Sequence, residues 1–254
     1  QKSANTEVGS AVMKSVSRNI VPVSLELGGK SSAIVFDTEN VDECVAGVMM
    51  GCFSNSGQIC SATSRLLLHK HIHDDFIERL NHKTGKMKLG DPMEHTTTMG
   101  PLISKAHQIR VLEMIEKAKN EGAKVLIGGN KPLYMNNGWF IEPTIFHNVG
   151  RKMEIWNKEV FGPVLSITKF ETEQEAIEIA NDSEYGLATA IFSSDQEKLS
   201  RVGQQIDVGI VWENCNQSVM YELPWGGTKK SGIGRELGKN GIFTYMEAKT
   251  VLKR

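Results

Sequence analysis

The sequence predicts an α/β fold in which crossover helices join the strands of a sheet. Short apolar segments of strand length alternate with amphipathic segments of helix length along most of the 254 residues. Turns that contain Gly or Pro separate these segments, for example at residues 90–92, 100–101 and 162–163. Such alternation is typical of sheets with crossover connections. At roughly 150 residues per domain, the length allows one large domain or two small ones.

The predicted helices follow from apolar positions that recur at helical spacing. The second of them has Asn40 at its N-cap position, where a short polar side chain can accept a backbone N–H. The predicted helices cover residues 11–16, 41–53, 74–80, 107–119, 173–180 and 198–205.

The predicted strands follow from short apolar runs that end at Gly, Pro or polar residues. The first run ends at a Gly-Gly pair, and the last run is predicted to close the fold. The predicted strands cover residues 21–27, 32–36, 64–68, 125–127, 164–170, 188–192, 209–212 and 243–252.

The composition excludes several classes of function. Hydrophobic residues make up 40% and charged residues 23%, as in ordinary globular proteins, which argues against disorder. The 29 Lys and Arg balance 30 Asp and Glu, so there is no electrostatic case for nucleic acid or an anionic membrane. Aromatic residues make up only 7%, and no apolar run approaches the roughly 20 residues of a membrane helix. We therefore expect no nucleic-acid or membrane partner.

The four cysteines indicate a reducing compartment. Cys44, Cys52, Cys60 and Cys215 form no CxxC pair, and four cysteines in a chain of this length do not resemble a disulfide framework. We expect reduced thiols and a cytoplasmic location, with an organelle as the alternative. The sequence starts at Gln1, so either a segment has been removed or the chain is a piece of a longer protein.

Three side chains are candidates for chemistry. Cys60 lies in a loop between a predicted helix and a predicted strand, where a thiol can be both reachable and activated. Glu26 interrupts an apolar strand, and a partly desolvated carboxylate has a raised pKa that suits a general base. Glu159 lies beside the Gly-Pro turn at 162–163. The alternatives are an inert buried thiol for Cys60 and a surface loop for Glu159.

Two other patterns have a structural interpretation that we favour. His69, His71 and His73 alternate, and on a strand they would share one face at a spacing that could bind a metal. They span the predicted end of a strand, so we favour a solvated strand end and expect no metal. The glycines at 231–235 resemble a dinucleotide-binding loop, but they follow a turn rather than a strand, so we interpret them as a tight turn.

Several motifs occur together in the order and approximate spacing of a known family. The chain resembles the NAD(P)-dependent aldehyde dehydrogenases along essentially its whole length, and most closely the betaine-aldehyde and aminoaldehyde dehydrogenases. The resemblance implies a catalytic domain with an open, mostly parallel sheet and flanking helices, plus a remnant of the Rossmann-like coenzyme domain. The motifs are LELGGK at 25–30, GQIC at 57–60, EVFGPV at 159–164, PWGG at 224–227 and SGIGRE at 231–236, with CSATSRL at 60–66 and GIVWENC at 209–215 carrying the closer match.

The resemblance implies a role for each candidate. Cys60 would attack the aldehyde carbonyl, and Glu26 would activate the water that hydrolyses the resulting thioester. NAD would be the cofactor, with Glu159 holding the nicotinamide ribose, Phe161 beside the nicotinamide and Leu27 contacting the cofactor through its backbone. The family also implies a homo-oligomer, either a dimer or a tetramer.

The substrate positions depart in part from the subfamily pattern. Trp225 resembles an aromatic wall of the aldehyde channel, which suits an ammonium or trimethylammonium group. Ser54 stands where many subfamily members have a second Trp, and Ile210 stands where a smaller residue would leave room for trimethylammonium. The sequence therefore favours an ω-aminoaldehyde over betaine aldehyde.

The resemblance also divides the chain. Residues 1–27 correspond to the end of the coenzyme domain, residues 28–225 to the catalytic domain, and residues 226–254 to a return segment with a closing, oligomer-forming strand. Residues 2–5 do not match the family pattern. Because most of the coenzyme lobe is absent, two alternatives remain: a truncated isoform that binds full-length subunits, and a cofactor-independent thiol hydrolase. Apolar surface is expected around Val12, Val16 and Val21, with poor solubility as the consequence.

Overall fold

A computed structural model describes residues 6–135 and 137–254. Its strands are β1 (Leu25–Glu26), β2 (Ser32–Val35), β3 (Arg65–His69), β4 (Lys124–Ile127), β5 (Thr144–His147), β6 (Val164–Phe170), β7 (Tyr185–Gly186), β8 (Ala188–Phe192), β9 (Ile210–Glu213), β10 (Thr228–Lys229) and β11 (Gly232–Ile233). Its α-helices are α1 (Thr6–Ser17), α2 (Val41–Phe53), α3 (His73–Gly85), α4 (Lys105–Asn120), α5 (Glu154–Asn157), α6 (Glu173–Asn181), α7 (Gln196–Gly203) and α8 (Gly238–Gly241).

The centre of the fold is a seven-stranded sheet in the order β4-β5-β6-β3-β2-β8-β9. Every neighbouring pair is parallel except β4 and β5, which are antiparallel. The predicted α/β fold with a mostly parallel sheet is confirmed. Two short antiparallel pairs, β1 with β11 and β7 with β10, lie outside this sheet and tie the segment after residue 225 to the rest of the chain.

Hydrophobic clusters cover both faces of the sheet. On β2, Ile34 belongs to one cluster, while Ala33 and Val35 belong to the other, as expected for side chains that alternate across a strand. The first cluster takes its helix residues mainly from α4, α6 and α7, and the second takes them from α2 and α3. Strands buried on both faces are rich in apolar residues, and the segments at 32–35 and 164–167 each have three apolar residues and one buried serine.

Side-chain caps define where three of the helices begin. The hydroxyl oxygens of Ser104 and Thr172 accept the backbone N–H of His107 and Glu175, and the carboxylate of Asp195 accepts that of Lys198. Each bond satisfies an N–H that has no partner inside the helix. Asn40 is the N-cap residue of α2, as predicted, but its side chain makes no capping hydrogen bond.

The structure corrects the sequence-based prediction at both ends of the chain. Of the strand predicted over 21–27, only Leu25–Glu26 pairs with another strand. The closing strand predicted over 243–252 is not formed in the single chain: Ile242–Tyr245 is a 3-10 helix, and the described residues after it form no strand. These segments have strand-like composition, but a strand also needs an edge to pair with. The sequence prediction also missed β5.

The remaining expectations for the terminal segments are partly met. Val12 and Val21 are exposed, as predicted, whereas Val16 is half-buried. The departure from the family pattern at residues 2–5 lies outside the described residues.

The four cysteines, all of which the structure describes, are free thiols. Among the described residues, no helix combines the length and apolar character that crossing a membrane requires.

Candidate active site

Three loops meet at one edge of the parallel sheet. The segment after β1 leads into β2, the loop after α2 leads into β3, and the segment after α5 leads into β6. Because β2, β3 and β6 are parallel neighbours, their amino ends share an edge, and so do the loops that precede them. The predicted candidates Glu26, Cys60 and Glu159 belong to these three loops or the strand end beside them.

A cavity of about 420 Å³ opens where the loops meet. Five residues predicted to be catalytic or to bind the cofactor line it, together with three neighbours. The lining residues are Glu26, Leu27, Gly28, Gln58, Ile59, Cys60, Glu159 and Phe161. The volume is in the range of small-molecule sites.

The loop before Cys60 has an unusual backbone. Asn55, Ser56 and Gly57 all have positive φ angles, between 49° and 71°. A Cβ atom on Gly57 would lie 2.1 Å from the carbonyl oxygen of Gly162, so no larger residue fits there without moving the backbone. This close approach joins the Cys60 loop to the Gly-Pro turn before β6.

The loop after Cys60 is held by two side chains from beyond β9. The Ser61 hydroxyl donates to Gln217 Oε1 at 2.8 Å, and Gln217 Nε2 donates to the Ser61 carbonyl at 3.0 Å. Asn216 Nδ2 donates to Thr63 Oγ1 at 2.9 Å. The chain on both sides of Cys60 is therefore fixed by hydrogen bonds or close packing, which limits where its Sγ atom can lie.

The Cys60 thiol is partly buried, and no cation among the described residues lowers its pKa. Burial raises its pKa, and the carboxylates of Glu159 and Glu26 raise it further. The thiol is therefore protonated at neutral pH, and reaction at sulfur requires a base to remove the proton.

Glu26 has the properties of such a base. Burial raises the pKa of its carboxyl to about 7, Glu236 raises it as well, and Arg235 opposes them. Both of its carboxylate oxygens are shielded from solvent and have no hydrogen-bond partner among the described residues. The pairing of β1 with β11, in which Glu26 lies opposite Gly232, fixes its backbone. A carboxyl with a pKa near neutrality can accept and release a proton at physiological pH.

Glu159 is held against the Gly-Gly segment that follows β1. The backbone N–H of Gly29 donates to Glu159 Oε1 at 3.1 Å. A Cβ atom on Gly28 would lie 2.1 Å from Glu159 Oε2, so glycine is required for this contact. Burial raises the pKa of Glu159, while the hydrogen bond from Gly29 and the charge of Lys30 oppose the rise.

Phe161 has a strained backbone that a histidine supports. Its φ angle is 57°, a region that non-glycine residues rarely adopt. His107 Nε2 donates to the Phe161 carbonyl at 2.6 Å, and the two rings lie 6.0 Å apart between centroids. Burial lowers the pKa of His107. His107 could not be predicted from the sequence, because its partner is a backbone carbonyl far along the chain.

The profile of the aldehyde dehydrogenase family matches residues 3–251. The chain belongs to the aldehyde dehydrogenase family. It is 49% identical over 247 residues to the chloroplastic betaine aldehyde dehydrogenase of Beta vulgaris, and 47% identical over 247 residues to the peroxisomal aminoaldehyde dehydrogenase 1 of Malus domestica. Each alignment covers 97% of this chain and 49% of the relative, so the chain spans about half the length of the curated relatives it matches.

Solved aldehyde dehydrogenases share the fold. A betaine aldehyde dehydrogenase from Staphylococcus aureus in complex with NAD+ superposes with a TM-score of 0.94 at 42% identity, covering 96% of this chain and 48% of that one. An aldehyde dehydrogenase from Bacillus cereus in complex with NAD+ gives a TM-score of 0.95 at 38% identity, covering 98% of this chain and 50% of that one. The predicted family and its closer branch are confirmed.

In this aldehyde dehydrogenase chain, the two predicted substrate residues lie beside the cavity lining rather than in it. Ile210 and Trp225 pack against the same hydrophobic cluster as Cys60. The ring of Trp225 lies 6.3 Å from that of Trp212, and two backbone hydrogen bonds of 2.7 Å join Trp225 to Glu236. They therefore lie outside the lining of the cavity that contains Cys60.

Two buried cations that were not predicted from the sequence are Lys30 and Arg65. Burial, together with the charge of Arg65, lowers the pKa of Lys30 to about 7. The Lys30 ammonium nitrogen is buried without a hydrogen-bond partner among the described residues. Arg65 donates to the carbonyls of Lys30, Ile179 and Ala180, and its guanidinium lies 5.3 Å from the Trp156 ring centroid. Of these two cations, Lys30 is the one whose charge lowers the pKa of Glu159.

The other sequence patterns lie apart from the cavity. Residues 232–233 form β11 and pair with β1. The Gly-rich segment therefore has a structural role, as expected, but as a short strand and not as the predicted tight turn. His69 is the last residue of β3 and lies at the carboxyl end of the strand, away from Cys60. His73 begins α3, so the three alternating histidines do not share one strand face.

Proposed function

We propose that this chain is the catalytic half of an NAD-dependent aldehyde dehydrogenase that oxidises an aldehyde to the carboxylate. The observation that carries the proposal is the single cavity lined by Cys60, Glu26, Glu159 and Phe161. A thiol, a carboxyl with a pKa of about 7 and two residues suited to a nicotinamide nucleotide are the groups that this reaction needs.

The first step is attack by sulfur on the aldehyde. Glu26 removes the thiol proton, which the raised pKa of Cys60 would otherwise keep in place. Sγ then forms a bond to the carbonyl carbon, and the carbonyl electron pair moves to oxygen to give a thiohemiacetal. The backbone N–H of Cys60 donates to that oxyanion, which stabilises the charge as it develops.

NAD, when bound, supplies the acceptor for the hydrogen and electron pair that leave the former aldehyde carbon. The residues present fit a nicotinamide ribose, because the Glu159 carboxylate can accept further hydrogen bonds beside the one from Gly29. The Phe161 ring lines the same cavity and offers an apolar wall. With that hydrogen gone, the acyl group remains on Cys60 as a thioester.

Glu26 acts again in the second half of the reaction. After it has released the thiol proton to solvent, Glu26 removes a proton from water, whose oxygen attacks the thioester carbon. The C–S bond then breaks to release the carboxylic acid, and the proton on Glu26 returns to the sulfur of Cys60. The same carboxyl group therefore serves both half-reactions, for which a pKa close to neutrality is well suited.

For the substrate, we propose an ω-aminoaldehyde in preference to betaine aldehyde. The partly buried Trp225 ring, which packs near the buried Trp212, offers an aromatic face for an ammonium group. Ser54 and Ile210 are the two departures from a trimethylammonium site, and they support the smaller head group.

The proposal also covers the domain boundaries, the oligomeric state and the cellular compartment. We assign residues 1–27 to the coenzyme domain, 28–225 to the catalytic domain and 226–254 to a return segment. We also propose a homo-oligomer in a reducing compartment, either the cytoplasm or an organelle, because the four cysteines are free thiols. The relatives named above include a chloroplastic and a peroxisomal protein.

The test is NADH formation by the 254-residue chain with 3-aminopropanal and NAD, with betaine aldehyde as the competing substrate. Turnover is expected in the parent and in Cys215→Ser, which removes an exposed thiol, and it should be lost in Cys60→Ala. Absence of NADH formation by a chain that circular dichroism shows to be folded would overturn the proposal for this chain.

One observation favours a second candidate function. After α8 the described residues expose large apolar side chains, among them Phe243 (60% exposed), Tyr245 (84%) and Leu252 (87%). Exposed apolar surface of this kind marks a contact with another chain. A form that associates with longer subunits would co-purify with them.

The other alternative, a cofactor-independent thiol hydrolase, would cleave p-nitrophenyl acetate without NAD, and Cys60→Ala would abolish that cleavage.

A further inference from the structure

A group of titratable side chains lies at the carboxyl ends of the strands whose amino ends carry the cavity. Asp37 follows β2, His69 ends β3, and Glu171 follows β6. His71 lies two residues beyond His69. The strands are parallel neighbours, so these side chains come together at the edge opposite the cavity.

Three of these side chains converge on one point, and we call them the strand-end cluster: Asp37, His69 and His71. His69 Nδ1 lies 2.8 Å from Asp37 Oδ1, and His71 Nδ1 lies 3.5 Å from Asp37 Oδ2. One ligand atom from each residue lies within 4.8 Å of the other two. The two imidazole rings meet edge to face, with 4.7 Å between their centroids.

The surroundings of His69 determine which nitrogen is free. His69 Nε2 lies 3.1 Å from the carbonyl oxygen of Glu171, which can only accept, so Nε2 carries the hydrogen. In the neutral ring, Nδ1 then carries no hydrogen, and its lone pair faces a carboxylate oxygen of Asp37. A cation between Nδ1 and Asp37 satisfies both, and a backbone carbonyl on the far nitrogen is the usual outer support of a metal-bound histidine.

Packing holds His69 while the other two ligands stay open to solvent. Only 13% of the His69 side chain is exposed, and its ring lies 5.4 Å from that of Phe170. Asp37 and His71 are 53% and 66% exposed, so an ion can enter from water. The nearby ammonium of Lys70 pairs with the Glu171 carboxylate at 2.9 Å.

We propose that the strand-end cluster binds one divalent transition-metal ion and that Zn²⁺ fits it best. Two imidazole nitrogens and a carboxylate oxygen suit Zn²⁺ and its first-row neighbours, whereas Mg²⁺ and Ca²⁺ prefer all-oxygen sites. Ligand atoms around a tetrahedral Zn²⁺ lie about 3.3 Å apart. His69 Nδ1 lies 2.8 Å from Asp37 Oδ1 and His71 Nδ1 lies 3.5 Å from Asp37 Oδ2, so each imidazole is near that spacing from one oxygen of the carboxylate. Three protein ligands leave a fourth position for water.

His73 provides a matched control within the same stretch. It belongs to the alternating histidines of the sequence but lies outside the strand-end cluster. Its Nδ1 lies 2.6 Å from Asp74 Oδ1, and its side chain is 11% exposed.

The experiment is calorimetric titration of Zn²⁺ into the 254-residue chain after chelator treatment, in a Cys60→Ser, Cys215→Ser background that removes two thiols able to bind zinc. One Zn²⁺ per chain is expected. His69→Gln, His71→Gln and Asp37→Asn should each lower the Zn²⁺ affinity at least about tenfold. Loss of a residue that only hydrogen-bonds to a metal ligand already lowers metal affinity by about that factor, and these three are the ligands themselves. His73→Gln should bind as the background does.

Two further measurements decide the outcome. Co²⁺ in place of Zn²⁺ should give tetrahedral absorption bands that His71→Gln abolishes. Zn²⁺ should raise the Tm of the background but not that of His71→Gln, because only a ligand of the folded chain stabilises it. Unsaturable binding, or equal binding by background and His71→Gln, would overturn the proposal and leave an ordinary ion pair between His69 and Asp37.

Discussion

The two ends of β2, β3 and β6 place ionisable groups in opposite surroundings. At the amino ends, burial is the largest cause of the raised pKa values of Glu26, Cys60 and Glu159. At the carboxyl ends, the carboxylates of Asp37 and Glu171 are mostly exposed. The sheet is the same, so the difference comes from what covers each edge.

The covering segment at the amino edge comes largely from the last part of the chain. β11 pairs with β1 beside Glu26, and Gln217 holds the loop that follows Cys60. At the carboxyl edge the strands run into short turns, and the side chains reach solvent. In open parallel sheets ligands usually bind at the carboxyl ends. This chain has its cavity at the opposite edge, where the cover creates the low-dielectric surroundings that shift a pKa.

The sharpest test of this comparison is Glu26→Gln, which keeps the shape of the side chain and removes its proton chemistry. Loss of a general base should lower kcat about 10² to 10⁴-fold. In the parent, the rate should rise with pH through about 7, because only the ionised Glu26 accepts a proton. The rise should be absent in the variant. Glu94→Gln, a change at an exposed carboxylate, is the control and should keep the parent profile.

Thermal stability provides a second measurement on the same variant. A carboxyl whose pKa is raised on folding favours the folded state below its unfolded pKa of 4.5 and loses that contribution as the pH passes about 7. Glu26→Gln should therefore be more stable than the parent at pH 8, by on the order of 1 kcal/mol after allowance for solvent screening. An equal difference in Tm at pH 5 and pH 8 would contradict the buried, uncompensated carboxylate.

A smaller effect is expected from the support of Phe161. His107→Ala removes the hydrogen bond to the strained Phe161 carbonyl, a loss of roughly 1 kcal/mol or about fivefold. Because His107 is a positioning residue, the loss should appear in the KM for NAD more than in kcat. His107→Gln, which can still donate, should recover most of it. His95→Ala, at an exposed loop, should leave both constants unchanged, and a uniform fall in kcat would argue against positioning.

Much of the fold could be predicted from local pattern alone. The helix at Val41–Phe53 and the strands at Val164–Phe170 and Ala188–Phe192 match their predicted bounds. In each of these three elements, the spacing of apolar residues in the sequence agrees with the pattern of buried residues in the structure. The segments at 21–24 and 243–252 have similar composition without a strand partner, and pairing is a property of the whole fold that no local window contains.

The candidate site could be predicted only as separate residues. Glu26, Cys60 and Glu159 stood out because a reactive group interrupts an apolar segment or occupies a Gly-containing loop. That they line one cavity depends on the strand order, which a single sequence does not specify. The place of His107 and Asp37 also follows from that order, since their partners are a distant carbonyl and the end of a neighbouring strand.

The smallest expected effect is at the carboxyl edge. Lys70→Gln removes an ion pair with Glu171 whose two side chains are 43% and 65% exposed. Exposed pairs contribute little because water screens them and both side chains lose freedom on pairing. The Tm should fall by less than about 2 °C at low salt, and the difference should vanish at high salt, where the pair is screened in the parent as well. A larger, salt-independent fall would mean that this edge is covered too, and that the contrast with the Glu26 edge does not come from burial.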